Sequence, residues 1–353
     1  MRTAFAVCVP GLEKLLAREL HELGVEARET VGGAELQAAD VPRVNLWSRV
    51  ASRVLVRLGE VRATTFPELV RKAQELPWAE VVRGTPRVAF RVTCRKSRLY
   101  HSDAVAERLF AGLQATVPGA TLGEADEEAP EPHAQLFVAR FERDVCTVSA
   151  DSSGALLHQR GYRTSPGKAP LRETLAAAMV LASGGGDLLD PLCGVGTIPI
   201  EAALIALERA PGLQRGFAFE GWPGHDAKAF AAMKDAGRGL ARMSVRIEGS
   251  DADPAQIAAA RENAARAGVE LDLSVRDLRE TPRSAARIVT NPPYGVRLES
   301  ERGLWRELHA RGATVLSPDE RPAGLGWRKL LTTQNGGLRV HLLAADAHHR
   351  AGA

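Results

Sequence analysis

Apolar residues run along this chain in two rhythms, and the change from one to the other falls near residue 151. The stretch 3–9 alternates as a strand does, Pro10-Gly11 makes a turn, and Leu12, Leu15, Leu16, Leu20 and Leu23 then fall at helical spacing until Gly24 stops the run. Strand patterns recur at 54–58 and 88–93, helical spacing at 103–113, and the segments QLFVARF (135–141) and VCTVSAD (145–151) read as a strand pair. An acidic stretch, EADEEAPEPH (124–133), reads as a solvated connection. These patterns predict α+β structure for the first part of the chain.

Residues 152–170 are rich in Gly, Ser, Pro and basic side chains, the composition of a linker between domains. From Leu171 helix and strand patterns alternate: a helix ended by Gly184-Gly185-Gly186, a strand at 187–190, a helix from Thr197, a strand at 244–250 and a helix after Asp253-Pro254. Strand patterns follow at 270–275, 286–290, 312–317, 328–333 and 337–343, the later ones with no helix predicted between them. The alternation predicts a doubly wound α/β sheet closed at one edge by an antiparallel hairpin. No internal repeat is visible.

Composition narrows the class. With 45% hydrophobic and 25% charged residues the chain has the balance of a soluble globular protein, and no apolar run is long enough to span a membrane. The first residues lack the pattern of a secretory signal, so a cytoplasmic location is expected. Cys8, Cys94, Cys146 and Cys193 form no C-x-x-C pair, which predicts reduced thiols and no zinc site. The net charge of +3 is mild, but residues 51–100 hold 11 Lys/Arg against 4 Asp/Glu. That concentration suits either a polyanion partner or an arginine-rich solvated surface.

Candidate chemistry begins at Leu188–Glu201, LLDPLCGVGTIPIE, where a short strand ends in Asp190 and turns through Gly194 and Gly196 into a helix. Glycines that admit a ligand to the backbone, followed by the unpaired N–H groups of a helix start, make an anion site. A nicotinamide dinucleotide fits poorly. Pro199 stands where G-x-G-x-x-G has its third glycine, and the next strand-end carboxylate, Asp251, comes much later than that motif requires. Asp251 is placed to hold the hydroxyls of an adenosine ribose, whereas Asp253, with Pro254 after it, suits a helix N-cap. Asp277, after the next strand, is placed to accept from an adenine amino group or to cap a turn. Cys193 reads as a small residue filling a tight loop, not a nucleophile.

Thr290-Asn291-Pro292-Pro293-Tyr294-Gly295 follows the fourth strand of this half. Consecutive prolines have no N–H and fixed φ, so their carbonyls are held rigidly as acceptors. An exocyclic base amine is a weak nucleophile because its lone pair is delocalised into the ring. Hydrogen bonds from its N–H groups to the Asn291 side-chain carbonyl and the Pro292 backbone carbonyl would localise that pair and aim it at a sulfonium methyl. Tyr294 is placed to stack on the base.

Taken together, AVCVPGLEKLLARELHELG, NLWSRVASRVLVRLGE, SGALLHQRGYR, APLRETLAAA, DPLCGVGT, GSDADP, NPPYGVRLE and TTQNGGLRVHLL resemble the THUMP-domain RNA methyltransferases that make N2-methylguanosine, over nearly the whole chain. The resemblance implies a ferredoxin-like domain at 1–55, a THUMP RNA-binding domain at 56–152, a linker at 153–170 and a Rossmann-like methyltransferase domain at 171–347 using S-adenosyl-L-methionine. On it, Asn291, Pro292, Pro293 and Tyr294 form the catalytic motif. Asp190, Cys193, Gly194, Gly196, Thr197, Asp251, Ala252, Asp277, Leu278 and Asn291 are the expected cofactor contacts. Between Tyr294 and the strand at 328–333 the chain is shorter than the family pattern, which bears on the wall of the base pocket.

The basic segment TCRKSRLYHS gains weight as RNA-binding surface, with Arg95, Lys96, Arg98, Tyr100 and His101 combining charge for phosphate with rings for unpaired bases. Arg160 and Arg163 of the linker are added to that set. The expected partner is RNA, ribosomal (23S) or transfer, with no metal, no membrane and a monomeric chain; His348-His349 reads as a chain end, not a ligand pair. Two alternatives stay open: N6-adenine methylation, since the same tetrapeptide serves any exocyclic amine, and a non-catalytic RNA-binding assembly factor. A cytosine-C5 enzyme would need a cysteine beside the proline motif, and none is there. If RNA affinity resides in 1–150, its removal is expected to leave cofactor binding intact.

Overall fold

The first 151 residues supply strands β1 (Thr3–Val7), β2 (Ala27–Thr30), β3 (Gly33–Gln37), β4 (Arg53–Arg62), β5 (Arg87–Arg95), β6 (Thr121–Leu122), β7 (Gln135–Glu142) and β8 (Val145–Asp151), with helices α1 (Glu13–Glu22), α2 (Val41–Trp47), α3 (Phe66–Ala73) and α4 (Ser102–Thr116). The structure, a computed structural model, describes residues 2–125, 134–163, 171–281, 286–293 and 298–345. All eight strands form one sheet, ordered β2-β3-β1-β4-β8-β7-β5-β6. The long strand β4 makes this possible: its first half pairs with β1 (Val7 opposite Arg53), and it continues along β8 to Arg62 opposite Val145. The border expected at residue 55 therefore falls inside a strand. Alternate residues Ala4 and Ala6 join Leu12, Leu16 and Leu20 in one apolar cluster, and Trp78 packs edge-on to Phe90 and Phe137 in a second.

The second half contains α5 (Glu173–Ala182), β9 (Leu188–Asp190), α6 (Thr197–Ala206), α7 (Ala227–Ala236), β10 (Ile247–Asp251), α8 (Pro254–Ala267), β11 (Asp272–Val275), β12 (Arg287–Thr290), α9 (Leu298–Ala310), β13 (Thr314–Ser317), β14 (Trp327–Asn335) and β15 (Leu338–Ala345). Its sheet runs β11-β10-β9-β12-β13-β15-β14, parallel from β11 to β13 and antiparallel at β15 and β14. The chain steps outward from β9 to β11, then returns to β12 on the other side of β9. Open α/β sheets hold ligands at such a reversal, outside the carboxyl ends of the strands. The doubly wound sheet and its antiparallel edge match the sequence pattern, but α9 was not expected. It packs Trp305 and Leu308 against Ile288 and Val315 in a buried cluster and makes the β12–β13 crossover parallel.

The two halves share a core. Phe217, Phe219 and Phe230, from the long excursion between α6 and β10, and Ala178 of α5 sit in the same cluster as Leu16 and Val54. Gly11, at φ +91°, touches β14 so closely that a Cβ there would lie 1.9 Å from the Thr332 carbonyl oxygen. The expected linker is folded in as well: Leu157, Arg160 and Tyr162 are buried, and Arg215 donates to the carbonyls of Ser153, Leu156 and Gln159 at 3.0, 2.6 and 3.3 Å. Removing residues 1–150 would expose this shared core. Among the described residues, no helix is long and apolar enough to cross a membrane.

Candidate active site

At the end of β9 the chain turns through Pro191–Gly196 into α6. Gly194 and Gly196 take φ of +52° and +85°, which only glycine adopts without strain. Gly196 is the N-cap of α6, and a Cβ there would press on the Ala260 methyl of α8 at 3.0 Å. Neighbouring elements hold the loop by its backbone. Cys193 N–H donates to Ser250 O at 2.9 Å, Gly194 N–H to Asp251 Oδ2 at 3.0 Å, and Asn263 Nδ2 to Val195 O at 3.0 Å. Asp251 Oδ1 accepts from Asp253 N–H at 2.9 Å, and Asp253 caps α8 through Ala255 N–H at 2.8 Å, with Pro254 first in the helix as expected.

Asp190 is buried and accepts from Leu192 N–H at 3.1 Å. Burial pushes its carboxyl up to about 7, opposed by the Thr290 hydroxyl and the Leu192 N–H, while Asp251 pushes the same way as burial. A carboxylate so poised favours a cation at this spot. Burial also pushes the Cys193 thiol far above its ordinary range, which suits packing and not nucleophilic attack. The buried Ser250 hydroxyl, next to Asp251, has no hydrogen-bond partner among the described residues. A glycine cradle at a helix start, two strand-end carboxylates and this spare hydroxyl fit an adenosine-bearing cofactor with a positive centre.

The register puts the tetrapeptide beside this loop. Ile288 of β12 lies opposite Leu189 of β9, so Thr290-Asn291 continues alongside Pro191-Leu192 across the reversal point. Asn291 is half-buried, Pro292 buried and Pro293 exposed; Tyr294 lies outside the described residues, as do His348-His349 and residues 126–133 of the acidic stretch. Asp190, Cys193, Gly194, Gly196, Thr197, Asp251, Ala252, Asn291 and Pro292 are thus gathered at the carboxyl ends of neighbouring strands.

Two expected contacts depart from their simple reading. Asp277 caps the turn Leu278–Glu280, and both its oxygens bind the Arg279 guanidinium at 2.9 Å, with Oδ1 also accepting Arg279 N–H at 2.8 Å. Arg279 holds that carboxyl well below the ordinary range, and Oδ2, with one bond to Arg279, keeps a lone pair for a further donor. Leu278 is buried in the cluster of Leu189 and Ile288, and its side chain serves packing.

Arg95, Lys96, Arg98, Tyr100 and His101 lie on the surface where β5 ends, with the Tyr100 and His101 rings 4.1 Å apart and Tyr100 68% exposed. The β7–β8 turn brings Arg143 to the same rim: its N–H donates to Arg95 O at 3.3 Å, and Asp144 Oδ1 accepts from Arg98 N–H at 2.8 Å. Sequence reasoning missed Arg143 because only the parallel pairing of β5 with β7 makes the two segments neighbours. The linker arginines are corrected. Arg160 is buried, donating to Leu157 O and Arg49 O at 2.7 Å each, and Arg163 donates to Thr197 Oγ1 at 2.7 Å. Arg160 is thus closed off from any phosphate, whereas the Arg163 side chain, bonded within the protein, stays 13% exposed. Among the described residues, no group of three or more side chains could hold a metal.

Fold and site together define a Rossmann-like methyltransferase carrying an N-terminal ferredoxin-like unit. The chain belongs to the RMKL-like methyltransferase family, whose domain model matches residues 160–345, and the RlmL ferredoxin-like domain matches residues 3–55. It is 36% identical over 373 residues to the ribosomal RNA large subunit methyltransferase K/L of Syntrophotalea carbinolica, covering 96% of this chain and 50% of that protein. The chain spans about half the length of the curated relatives it matches. Among solved structures it resembles the methyltransferase SMU.472 complexed with SAH, with a TM-score of 0.84, 27% identity and 97% of each chain covered. It also resembles a Listeria monocytogenes protein titled as an N6-adenine-specific DNA methylase, with a TM-score of 0.83, 29% identity and 96% and 95% coverage.

Proposed function

We propose that this chain transfers the methyl group of S-adenosyl-L-methionine to the exocyclic N2 of a guanosine in large-subunit ribosomal RNA. The observation that carries the reading is the placement of Asn291-Pro292 beside the Asp190–Gly196 loop, across the point where the sheet reverses. The family match and the named activity of the Syntrophotalea relative support it. The cofactor supplies an electrophilic methyl when bound. Asp251 and Asp190 offer acceptors for its hydroxyls and its positive charge, and the Gly194–Gly196 turn admits it to the backbone. Asn291 and Pro292 accept the two N–H bonds of the base amine, turning its lone pair toward the methyl. The rim of Arg95, Lys96, Arg98, Arg143 and Tyr100, in the THUMP-like stretch 56–152, binds the RNA backbone and an unpaired base.

N6 of adenine is the second reading, because two carbonyl acceptors hold any exocyclic amine. The full chain, labelled cofactor and unmodified ribosomal and transfer RNA separate the readings when the digested nucleosides are identified by mass. N2-methylguanosine from ribosomal RNA is expected. N6-methyladenosine would overturn the base assignment, and label confined to transfer RNA would overturn the substrate.

A further inference from the structure

Three arginines grip one face of α6 at successive turns. Arg163 donates to Thr197 Oγ1 at 2.7 Å, at the first residue of the helix, and to Leu171 O at 3.0 Å, with its Nε 3.3 Å from Glu173 Oε1. One turn on, Arg160 Nε lies 3.6 Å from Glu201 Oε1, an oxygen that also accepts the Tyr162 hydroxyl at 3.1 Å. Where the helix ends, Arg49 donates to Leu204 O at 3.1 Å and Arg209 O at 2.8 Å. Thr197, Glu201 and Leu204 recur at four- and three-residue spacing, the spacing of a single helix face. The rungs are joined to each other, since Arg160 Nη2 donates to Arg49 O at 2.7 Å.

The rungs come from different parts of the chain. Arg160 and Arg163 belong to the folded-in connection, whereas Arg49 stands between α2 and β4 in the N-terminal unit. Arg49 is anchored there by a buried carboxylate: Glu19 of α1 accepts Arg49 N–H at 2.6 Å and the Ser48 hydroxyl at 2.7 Å. Burying this many charges is an expensive way to hold a helix that apolar packing would hold as well. A planar guanidinium fork adds a fixed distance and angle to each carbonyl or hydroxyl it meets.

We propose that Arg49, Arg160 and Arg163 are positioning residues that set α6, and with it the Gly194–Gly196 turn, relative to the N-terminal unit, so that cofactor affinity depends on Arg49 from the far end of the helix. Leu204 and Thr197 are about 10 Å apart along the axis, so Arg49 acts through α6 and not by touching the cofactor. The inference rests on the proposed cofactor site and goes beyond it.

Calorimetric titration of the full chain with S-adenosylhomocysteine tests it. Arg163→Lys keeps the charge but loses the fork and is expected to raise Kd about tenfold, a coupling of the size found between contacting groups. Thr197→Val should raise it comparably, and the double variant should be no worse than Arg163→Lys alone. Arg49→Lys should raise Kd about threefold or more at unchanged stoichiometry, and raise the cofactor KM while kcat at saturation stays within about twofold. A merely structural Arg49 would lower the melting temperature and the active fraction with wild-type Kd, and that result overturns the inference. Simple addition of the Arg163→Lys and Thr197→Val effects also overturns it, and this cycle decides alone should Arg49→Lys not fold. A wild-type chain that binds no S-adenosylhomocysteine would overturn the cofactor reading itself, and the inference with it.

Discussion

Gly194 gives its backbone N–H to the Asp251 carboxylate at 3.0 Å, so the residue expected to hold a ribose also holds the loop that faces it. One oxygen lies on Gly194 and the other on Asp253, and each keeps a lone pair for a ligand hydroxyl. Asp251→Ala should therefore weaken S-adenosylhomocysteine binding by about 1–3 kcal/mol, through lost charge-assisted bonds to ligand and loop alike. Asp251→Asn should fall between, since its amide oxygen still accepts one N–H. Wild-type affinity for Asp251→Ala in calorimetry would remove this residue from the site.

The Asp190 carboxyl, raised by burial to about 7 in the free protein, gives cofactor binding a pH dependence of predictable sign. A cationic ligand prefers the ionised form, so binding strengthens as pH rises through 7 and levels off above it; between pH 6 and pH 8 the change is about tenfold for one proton. For folding the sign is opposite. The folded protein holds this proton more tightly than the unfolded chain does, so the contribution to stability is greatest below the unfolded carboxyl range and is lost as pH rises toward 7. Asp190→Asn should flatten the binding profile, and titrations in buffers of different ionisation enthalpy check the released proton.

Gly11 and Gly184 share a left-handed backbone but not a neighbourhood. A Cβ at Gly11 would strike the Thr332 carbonyl at 1.9 Å, whereas one at Gly184, at φ +93°, meets nothing within 4 Å among the described residues. Gly11→Ala should cost about 2–4 kcal/mol by adding forced movement between the halves to backbone strain, and Gly184→Ala about 1 kcal/mol from strain alone. Denaturant midpoints separate the two, and equal losses would mean that the contact with β14 yields freely.

Arg143 shares its rim with Arg95 and Arg98. Arg143→Glu should weaken binding to ribosomal RNA about tenfold and make the logarithmic salt dependence shallower, while leaving affinity for S-adenosylhomocysteine unchanged. A filter-binding series over salt measures both terms. Unchanged RNA affinity would move the RNA footprint off this rim.

The loop, the strand-end acids and the tetrapeptide were legible because each depends on a short local pattern, and the β9–β12 pairing places them together. The Asp253–Pro254 cap and the packing role of Cys193 were legible for the same reason. Other features depend on partners far along the chain. Arg160 has the sequence context of an exposed linker arginine, and only the fold reveals that Glu201 and the Arg49 carbonyl bury it. Asp277 stands where an acceptor is wanted, and only the structure shows it also paired with Arg279, two residues on. The helix α9 carries Leu304, Trp305 and Leu308 at helical spacing, a signal overshadowed by the proline motif just before it. The continuous eight-stranded sheet was invisible because β4 reads as one strand whether it serves one unit or two.

The central claim is that Asn291, with the Pro292 carbonyl, activates an exocyclic amine. Single-turnover methyl transfer by Asn291→Ala, with cofactor and ribosomal RNA both saturating, tests it most directly. The amide carbonyl acts chiefly as the amine becomes tetrahedral, so its loss should lower the chemical rate by roughly 10²-fold or more, with both affinities within a few-fold of wild type. Asn291→Asp should be less harmed, because a carboxylate still accepts the N–H and favours the positive charge growing on nitrogen. A full wild-type rate for Asn291→Ala would contradict the mechanism.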